Sequence, residues 1–180
     1  GEDAIKGFRD LAPAADLVAP MPYAEFQCMI DDPPGQYHYA TADYFDDFPD
    51  EALDVFLEYG FGRRAPHSQQ ILLPWGGAVG AAGDDTTPMA NRASRWVTHP
   101  FALWEDPADT ENNVAWAKGF RRDIAPFANG GVYLNFIGSE GQDRVRAAFG
   151  DENYRRLAAI KAEWDPDNIF RGNQNIIPAH

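Results

Sequence analysis

Alternating and glycine-bounded runs of apolar residues predict the strands of this chain. Residues 36–45 alternate aromatic with polar side chains, which is typical of a half-buried strand. Residues 69–75 and 131–137 are short apolar runs next to glycine, and we predict buried strands there. Residues 95–104 are a fourth predicted strand, in which Pro100 indicates an edge position or a bulge.

Helices are predicted where apolar residues recur every three to four positions. One begins at Pro49-Asp50 and ends at the glycines of residues 60–62, and a longer one runs from residue 106 to about 126. The buried stripe of the long helix is predicted to be Trp116, Phe120, Ile124 and Phe127. Two more helices follow near residues 145–149 and from Asp151, which we expect to cap its helix. The last helix is predicted to turn inward Leu157, Ile160 and Trp164.

This order of elements indicates an α+β fold, with one antiparallel or mixed sheet and helices packed on one face. A length of 180 residues suits a single domain over residues 1–180. Residues 165–180 show turn chemistry without periodicity and form a C-terminal segment. The other face of the sheet needs a cover, and few further elements are left to provide it.

The charge balance excludes two classes of partner. The chain has 28 acidic and 15 basic residues, a net charge of −13, which argues against binding nucleic acid or an anionic membrane surface. No apolar run approaches the roughly 20 residues that span a bilayer, so we expect a soluble protein, cytoplasmic or secreted. The only cysteine, Cys28, excludes an internal disulfide and a cysteine-based zinc site.

Most short motifs carry little chemistry. The glycine-rich residues 76–80 match neither dinucleotide nor P-loop spacing, which favours a tight turn. The four histidines lack metal-ligand spacing, so we predict no metal site. Cys28 beside Met29 is most simply a small buried apolar residue.

Tyr133, Asn135 and His99 are the strongest candidates for a site. A period of two places Tyr133 and Asn135 on one face of the predicted strand 131–137, opposite the apolar side chains. His99 lies in another predicted strand. Three such side chains on one sheet face form either a substrate wall or an ordinary solvated face, and spacing alone leaves both readings open.

Motifs near the C-terminus resemble the end of a berberine-bridge-enzyme-like FAD-linked oxidase. They are Tyr133-Leu134-Asn135, residues 149–157, residues 160–170 and residues 173–178. Residues 14–23 and 76–80 are also similar to that family. The resemblance implies that this chain is the C-terminal substrate domain, and that the N-terminal FAD-binding half with its histidine and cysteine attachment sites is missing.

The same resemblance assigns roles to individual residues. Tyr133 falls on the family's catalytic base, and Asn135 is expected to orient that tyrosine or contact the flavin. Asn173 and Asn175 are expected to bind the cofactor, while residues 165–180 return to the FAD-binding half. His99 stands where the family commonly has Gln or Glu, and we treat it as a second catalytic position. Tyrosine ordinarily has a pKa of about 10, so we expect His99 or a buried positive charge to stabilise its phenolate.

These residues together predict part of a flavin-dependent oxidoreductase that oxidises an alcohol, sugar or amine-type small molecule. The chain alone is expected to hold no FAD and to be inactive. The alternative is a non-catalytic module that binds a ligand or a partner. Expected partners are the small-molecule substrate, the missing FAD-binding half and a second copy of the fragment, which would associate through the bare sheet face.

Overall fold

The computed structural model describes most of the chain, in two compact units formed by residues 1–34 and 35–180. The described residues are 1–29, 31–32, 34–63, 65–83 and 86–180. The first unit contains α1 (Glu2–Arg9) and α2 (Tyr23–Cys28). Cys28 is exposed, so its interpretation as a buried residue is wrong.

The second unit is built on a four-stranded antiparallel sheet. Its strands are β1 (Tyr37–Ala40), β2 (Asp43–Phe45), β3 (Gln69–Pro74) and β4 (Trp96–Trp104). β4 is central: β3 pairs along one edge, and β1 and β2 pair one after the other along the opposite edge. The predicted strand 36–45 is therefore two short strands, separated by Thr41 and Ala42, which are not assigned to either strand.

Pro100 lies in the central strand, so the predicted edge position is wrong. Its carbonyl accepts a hydrogen bond from the Thr41 amide at 3.4 Å. In an antiparallel strand, the amide and carbonyl of a residue point to the same edge. The donor that proline lacks therefore faces Thr41, between β1 and β2, where the partner strand is already interrupted.

Two helices, α3 (Asp50–Phe61) and α4 (Thr110–Ile124), pack on one face of the sheet. Short 3₁₀ turns at Pro107–Asp109 and Ala125–Phe127 flank α4. Trp116, Phe120 and Ile124 are buried as predicted. They join two buried clusters between the helices and the strands, which consist of Phe45, Ala52, Phe120 and Ile124, and of Ala102, Trp104, Trp116 and Ala117. The predicted α+β fold with an antiparallel sheet is confirmed.

Part of the opposite sheet face is covered by the chain itself. Val97 and Tyr44 on this face pack with Val132 and Ile137 from the segment 131–137. Ala148 of α5 (Gln142–Phe149) completes the cluster. This cover lies over one end of β4, so the face remains open further along the strand.

The segment 131–137 is not a strand, which corrects the prediction. Its backbone bonds to β2 at Gly131, whose carbonyl accepts from the Tyr44 amide at 3.2 Å. Leu134–Phe136 then form a 3₁₀ turn, in which the Phe136 amide donates to the Tyr133 carbonyl at 3.0 Å. Both edges of β4 are already paired, so this apolar run packs across the sheet face instead of joining the central strand.

The last helix, α6 (Asp151–Trp164), presents a different face to the core from the one predicted. Its N-cap position is Gly150, and Asp151 is the first helical residue. The buried residues are Asn153, Tyr154 and Ala158, whereas Ile160 and Trp164 are 56% and 79% exposed. The inner face is occupied by the C-terminal segment, where the Ile177 amide donates to Tyr154 Oη at 3.2 Å and the Ala179 amide to the Ala158 carbonyl at 3.0 Å.

Candidate functional site

A cavity of about 330 Å³ lies on the open part of the sheet face. It is lined from β1 by His38, Tyr39 and Ala40, from β4 by His99 and Phe101, and from the following segment by Asn135, Phe136, Ile137, Gly138 and Ser139. Its volume is at the small end of the range for ligand sites, roughly 300–1,000 Å³. The cavity brings His99 and Asn135 together from predicted elements that lie far apart in the sequence.

A row of aromatic rings connects Tyr133 to His99. The ring of Phe136 meets Tyr133 edge-on, with centroids 4.7 Å apart at 85°. On its other side Phe136 stacks on His99, with centroids 4.1 Å apart at 18°. His99 in turn stacks on Phe101 at 5.5 Å. Because the 3₁₀ turn swings Phe136 to the side of Tyr133, an apolar residue predicted for the opposite face lies within the site.

The Tyr133 hydroxyl is held by its neighbour in the motif. Asn135 Nδ2 donates a hydrogen bond to Tyr133 Oη at 3.0 Å. The half-buried Tyr133 ring also packs against Trp75 at 5.2 Å and against Tyr44 at 6.5 Å between centroids. The hydrogen bond therefore fixes the position of the phenol oxygen next to the Asn135 amide. Asn135 itself is exposed, so one side of the pair is open.

His99 is buried and its ring is fixed by the backbone. It is 9% exposed, and its Nδ1 lies 3.2 Å from the Thr41 carbonyl oxygen. A carbonyl can only accept, so Nδ1 carries the proton in this contact. The structure connects His99 to Tyr133 through the ring of Phe136.

The C-terminal segment reaches the cavity through Gln174. Its Nε2 donates to the carbonyls of Ile137 and Gly138 at 2.9 and 3.0 Å, on the cavity wall. Asn173 is exposed with a φ of 45°, and the backbone carbonyl of Asn175 accepts from Gln142 Nε2 at 3.2 Å. Neither asparagine lines the cavity, and their contact with a cofactor stays a prediction. Sequence reasoning placed Gln174 in the C-terminal motif but gave it no role.

A buried ionic cluster beside the cavity was also missed. Arg144 on α5 donates to Asp43 at 2.8 Å and to Glu140 at 3.0 Å. Burial raises the pKa of the Asp43 carboxyl above its ordinary value, although Arg144 and Arg121 oppose that shift. In the sequence, Glu140 and Arg144 are four residues apart. An exposed helical ion pair has the same spacing, so the spacing did not indicate a buried cluster.

The site suits the edge of a flavin ring better than a whole dinucleotide. Asn135 offers an exposed amide with both donor and acceptor atoms, and the aromatic row gives a flat wall. Among the described residues that line the cavity, none is Lys or Arg. Within the described ranges, no three His, Cys, Asp or Glu side chains converge as a metal site would require. No helix in the described part of the chain has the length and apolar character needed to cross a bilayer.

Comparison with solved structures defines the class of fold. CrmK, a flavoenzyme involved in shunt product recycling in caerulomycin biosynthesis, matches with a TM-score of 0.77 at 22% identity. The match covers 99% of this chain and 42% of CrmK. The fold is therefore that of a domain found in flavoenzymes.

Sequence comparison gives the family. The family described as berberine and berberine like matches residues 132–177. Two proteins of Bacillus subtilis (strain 168), the uncharacterised FAD-linked oxidoreductases YvdP and YgaK, are 29% and 32% identical over 137 and 123 residues. Residues 132–177 therefore match the berberine-like family and the chain is similar to FAD-linked oxidoreductases, which confirms the resemblance seen in its motifs. It spans only 30% and 26% of the length of these two relatives.

Proposed function

We propose that this chain supplies the substrate-side wall of a flavin-dependent oxidoreductase that oxidises an alcohol, sugar or amine-type small molecule. The observation that carries the proposal is the pairing of Tyr133 with Asn135 at the open edge of an aromatic cavity. A phenol oxygen that accepts a hydrogen bond from an exposed amide is arranged to take a proton from a bound ligand. The relatives are FAD-linked by name, which supports the cofactor.

Each side chain has a distinct task in this mechanism. When bound, FAD supplies the acceptor for the hydride that leaves the substrate carbon. Tyr133 takes the proton from the substrate hydroxyl or amine, and Asn135 stabilises the phenolate that performs this step. Asn135 is also the residue of this wall that would contact the flavin edge. Phe136 and Phe101 exclude water and offer flat apolar surfaces, and the His99 ring stacked between them completes this wall.

The test is Tyr133→Phe in the longest natural polypeptide that contains this chain, loaded with FAD. The phenylalanine ring keeps the contacts with Trp75 and Phe136, so folding and flavin content should be preserved. General-base catalysis contributes about 10²–10⁴-fold, and flavin reduction should slow by that factor with little change in substrate affinity. The measurement is anaerobic stopped-flow bleaching of the flavin with a panel of sugars, secondary alcohols and amines.

A matched control separates chemistry from the loss of a tyrosine hydroxyl. Tyr154 is buried, and its hydroxyl donates to Gln142 Oε1 at 3.2 Å and accepts from the Ile177 amide at 3.2 Å, instead of pairing with Asn135. Tyr154→Phe should reduce its flavin at the wild-type rate. A Tyr133→Phe rate within a factor of two of wild type would place the base elsewhere. A flavin that no member of the panel reduces would favour the non-catalytic binding module.

The FAD-linked part of a longer protein is the partner that we propose for α6 and the turn after it. Trp164, Ile169 and Phe170 are 79%, 72% and 80% exposed. They surround Asp165, whose carboxylate accepts from the Ile169 amide at 2.7 Å, from the Phe170 amide at 3.1 Å and from Lys161 Nζ at 2.7 Å. A turn this well fixed, with three large apolar side chains in water, resembles the centre of an interface. Over two thirds of each relative lies outside the match, which supports this occupant.

Co-expression of this chain with the FAD-linked portion as a separate polypeptide tests the assignment. Trp164→Glu should abolish co-purification, whereas Tyr23→Glu, an equally exposed aromatic position in the first unit, should not. A second copy of the chain is the competing occupant. Concentration-dependent dimerisation that Trp164→Glu removes, with unchanged binding to the FAD-linked portion, would assign the turn to self-association.

A further inference from the structure

One peptide of the cavity wall, between Ile137 and Gly138, is held from two sides. Its carbonyl accepts a hydrogen bond from Gln174 Nε2 at 2.9 Å, and its amide donates to the Ala40 carbonyl at 3.3 Å. The carbonyl and the amide of a planar trans peptide point in opposite directions. The C-terminal segment therefore binds one side of this peptide and β1 binds the other. Ala40, Ile137 and Gly138 all line the cavity.

The same side chain also binds the next peptide. Gln174 Nε2 donates to the Gly138 carbonyl at 3.0 Å. A side-chain amide has two N–H donors, so Gln174 can bind both carbonyls at once. We call these two hydrogen bonds the Gln174 clamp. It holds the peptides on either side of the Gly138 Cα, directly before Ser139, which lines the cavity as well.

Side-chain packing does not orient this part of the wall, because the residue between the two peptides is a glycine. A Cβ built on Gly138 would meet no atom of the described residues within 4 Å. A glycine without such contacts has wide conformational freedom in φ and ψ. The hydrogen bonds from Gln174 and to Ala40 therefore determine how the wall is turned at this point.

Gln174 is itself held in place by the backbone around it. The Asn175 amide donates to the Asn173 carbonyl at 3.1 Å, which closes a three-residue turn with Gln174 at its centre. The Asn175 carbonyl in turn accepts from Gln142 Nε2 on α5 at 3.2 Å. The clamp is thus anchored on a helix outside the sheet.

We propose that Gln174 is a positioning residue of the candidate site: it fixes the wall at residues 137–139 beside β1, and with it the shape of the cavity. A wall of fixed shape binds the ground state and the transition state alike, so its loss raises KM and leaves kcat nearly unchanged. This inference rests on the proposed function for the role of the cavity, but the clamp belongs to the chain without cofactor or substrate.

Hydrogen exchange in the 180-residue chain tests the clamp directly. In the wild type, the Nε2 protons of Gln174 should exchange more slowly than those of Gln69, which is exposed. Gln174→Met keeps the length of the side chain and removes both donors. Because one hydrogen bond corresponds to a factor of about 2–10, exchange of the Gly138 amide should rise by roughly 5–100-fold. Exchange of the Phe120 amide in α4 should stay unchanged, which excludes a loss of global stability.

Gln142→Met is the matched control. It also removes a glutamine donor from a backbone carbonyl of the C-terminal segment, but that carbonyl belongs to Asn175 and not to the cavity wall. Gln142→Met should therefore change the exchange of the Gly138 amide much less than Gln174→Met does.

A kinetic measurement separates positioning from a purely structural role. In the longest natural polypeptide that contains this chain, loaded with FAD, Gln174→Met should raise KM by roughly 2–10-fold, the factor of one hydrogen bond. The substrates are the sugars, secondary alcohols and amines that bleach the wild-type flavin. The value of kcat should stay near that of the wild type.

Any of four results would overturn the proposal. They are Gln174 Nε2 protons that exchange as fast as those of Gln69, unchanged exchange of the Gly138 amide in folded Gln174→Met, an equal effect of Gln142→Met, and an unchanged KM. If Gln174→Met does not fold, the wild-type comparison with Gln69 still decides. A flavin that no substrate reduces would refute the proposed function alone, since the exchange experiments involve no flavin. Failure of the clamp would leave the role of Tyr133 standing.

Discussion

Phe136 should couple energetically to Tyr133 and His99, because it lies between their rings. The change we consider is Phe136→Leu, which keeps most of the apolar volume but removes the aromatic geometry. In the structure the ring meets Tyr133 at 4.7 Å and His99 at 4.1 Å between centroids. In the predicted strand, by contrast, positions 133 and 136 would face opposite ways and could not touch.

The magnitude follows from the number of ring pairs. An aromatic pair contributes about 0.5–1.5 kcal/mol beyond the burial of its area. Phe136→Leu loses two such pairs, so the free energy of unfolding should fall by about 1–3 kcal/mol. In a double-mutant cycle with Tyr133→Leu, the coupling energy should be about 0.5–1.5 kcal/mol, the value of the single pair that both changes remove.

The assay is urea unfolding of the four proteins of the cycle, followed by circular dichroism at fixed protein concentration. A parallel cycle of Phe136→Leu with Phe48→Leu provides the control. Phe48 packs on Phe45 and Phe56 in the cluster under α3 and α4, so its effect should add to that of Phe136 within about 0.5 kcal/mol. A Tyr133–Phe136 coupling no larger than in this control, with all variants folded, would refute the 3₁₀ turn and the aromatic row built on it.

Two pH-dependent predictions follow from the hydrogen bonds of Asp123 with Tyr59 and of Asp165 with Lys161. Tyr59 Oη donates to Asp123 at 2.5 Å, and burial together with this contact raises the pKa of Tyr59 to about 12. Its stabilisation is present below the ordinary tyrosine pKa of about 10 and is lost as the pH rises towards 12. Tyr59→Phe should therefore cost about 1 kcal/mol in urea unfolding at neutral pH, and an equal loss at pH 12 would contradict this. The hydrogen bond from Lys161 lowers the pKa of Asp165, so that contribution is present above the ordinary carboxyl pKa of about 4 and is lost as the pH falls below it. Asp165→Asn should lower the thermal midpoint at pH 7 but not in strong acid, while the neighbouring, exposed Asp167→Asn should have little effect at either pH.

Local patterns in the sequence predicted the helices that pack on the sheet but not the path of the segment 131–137. The stripe of α4 at Trp116, Phe120 and Ile124 depends on helical periodicity, which is a property of adjacent residues. An apolar run bounded by glycine carries no information about which strand edges are still unpaired. The edges of β4 are taken by its neighbours, so Phe136 moved from the predicted apolar face into the site.

Long-range pairing also explains the residues that were overlooked. Arg144 in a short helix suggests an exposed charge, and only the fold brings it to Asp43 of β2. On α6 the sequence offers two apolar faces. The C-terminal segment binds the one with Tyr154 and Ala158, which leaves Ile160 and Trp164 in solvent. Family motifs, by contrast, pointed to Tyr133 and Asn135 as site residues, and the structure joins the two side chains by a hydrogen bond.

The candidate site is rigid, whereas the turn after α6 is exposed and apolar. This combination is expected of a domain that functions in contact with a second protein surface. Side-chain motion around His99 is restricted by backbone carbonyls, by the guanidinium of Arg144 and by the aromatic row. Little conformational entropy of the protein is therefore lost when a ligand binds there. At the exposed turn the gain comes from burial, because burying one large apolar side chain contributes about 1.5–3 kcal/mol. Covering Trp164, Ile169 and Phe170 would then contribute roughly 5–9 kcal/mol to docking, before the cost of association is subtracted. Because Asp165 and Lys161 already hold the turn, little of that gain is spent on ordering it, and a partner of the chain is expected to dock there without reshaping the cavity.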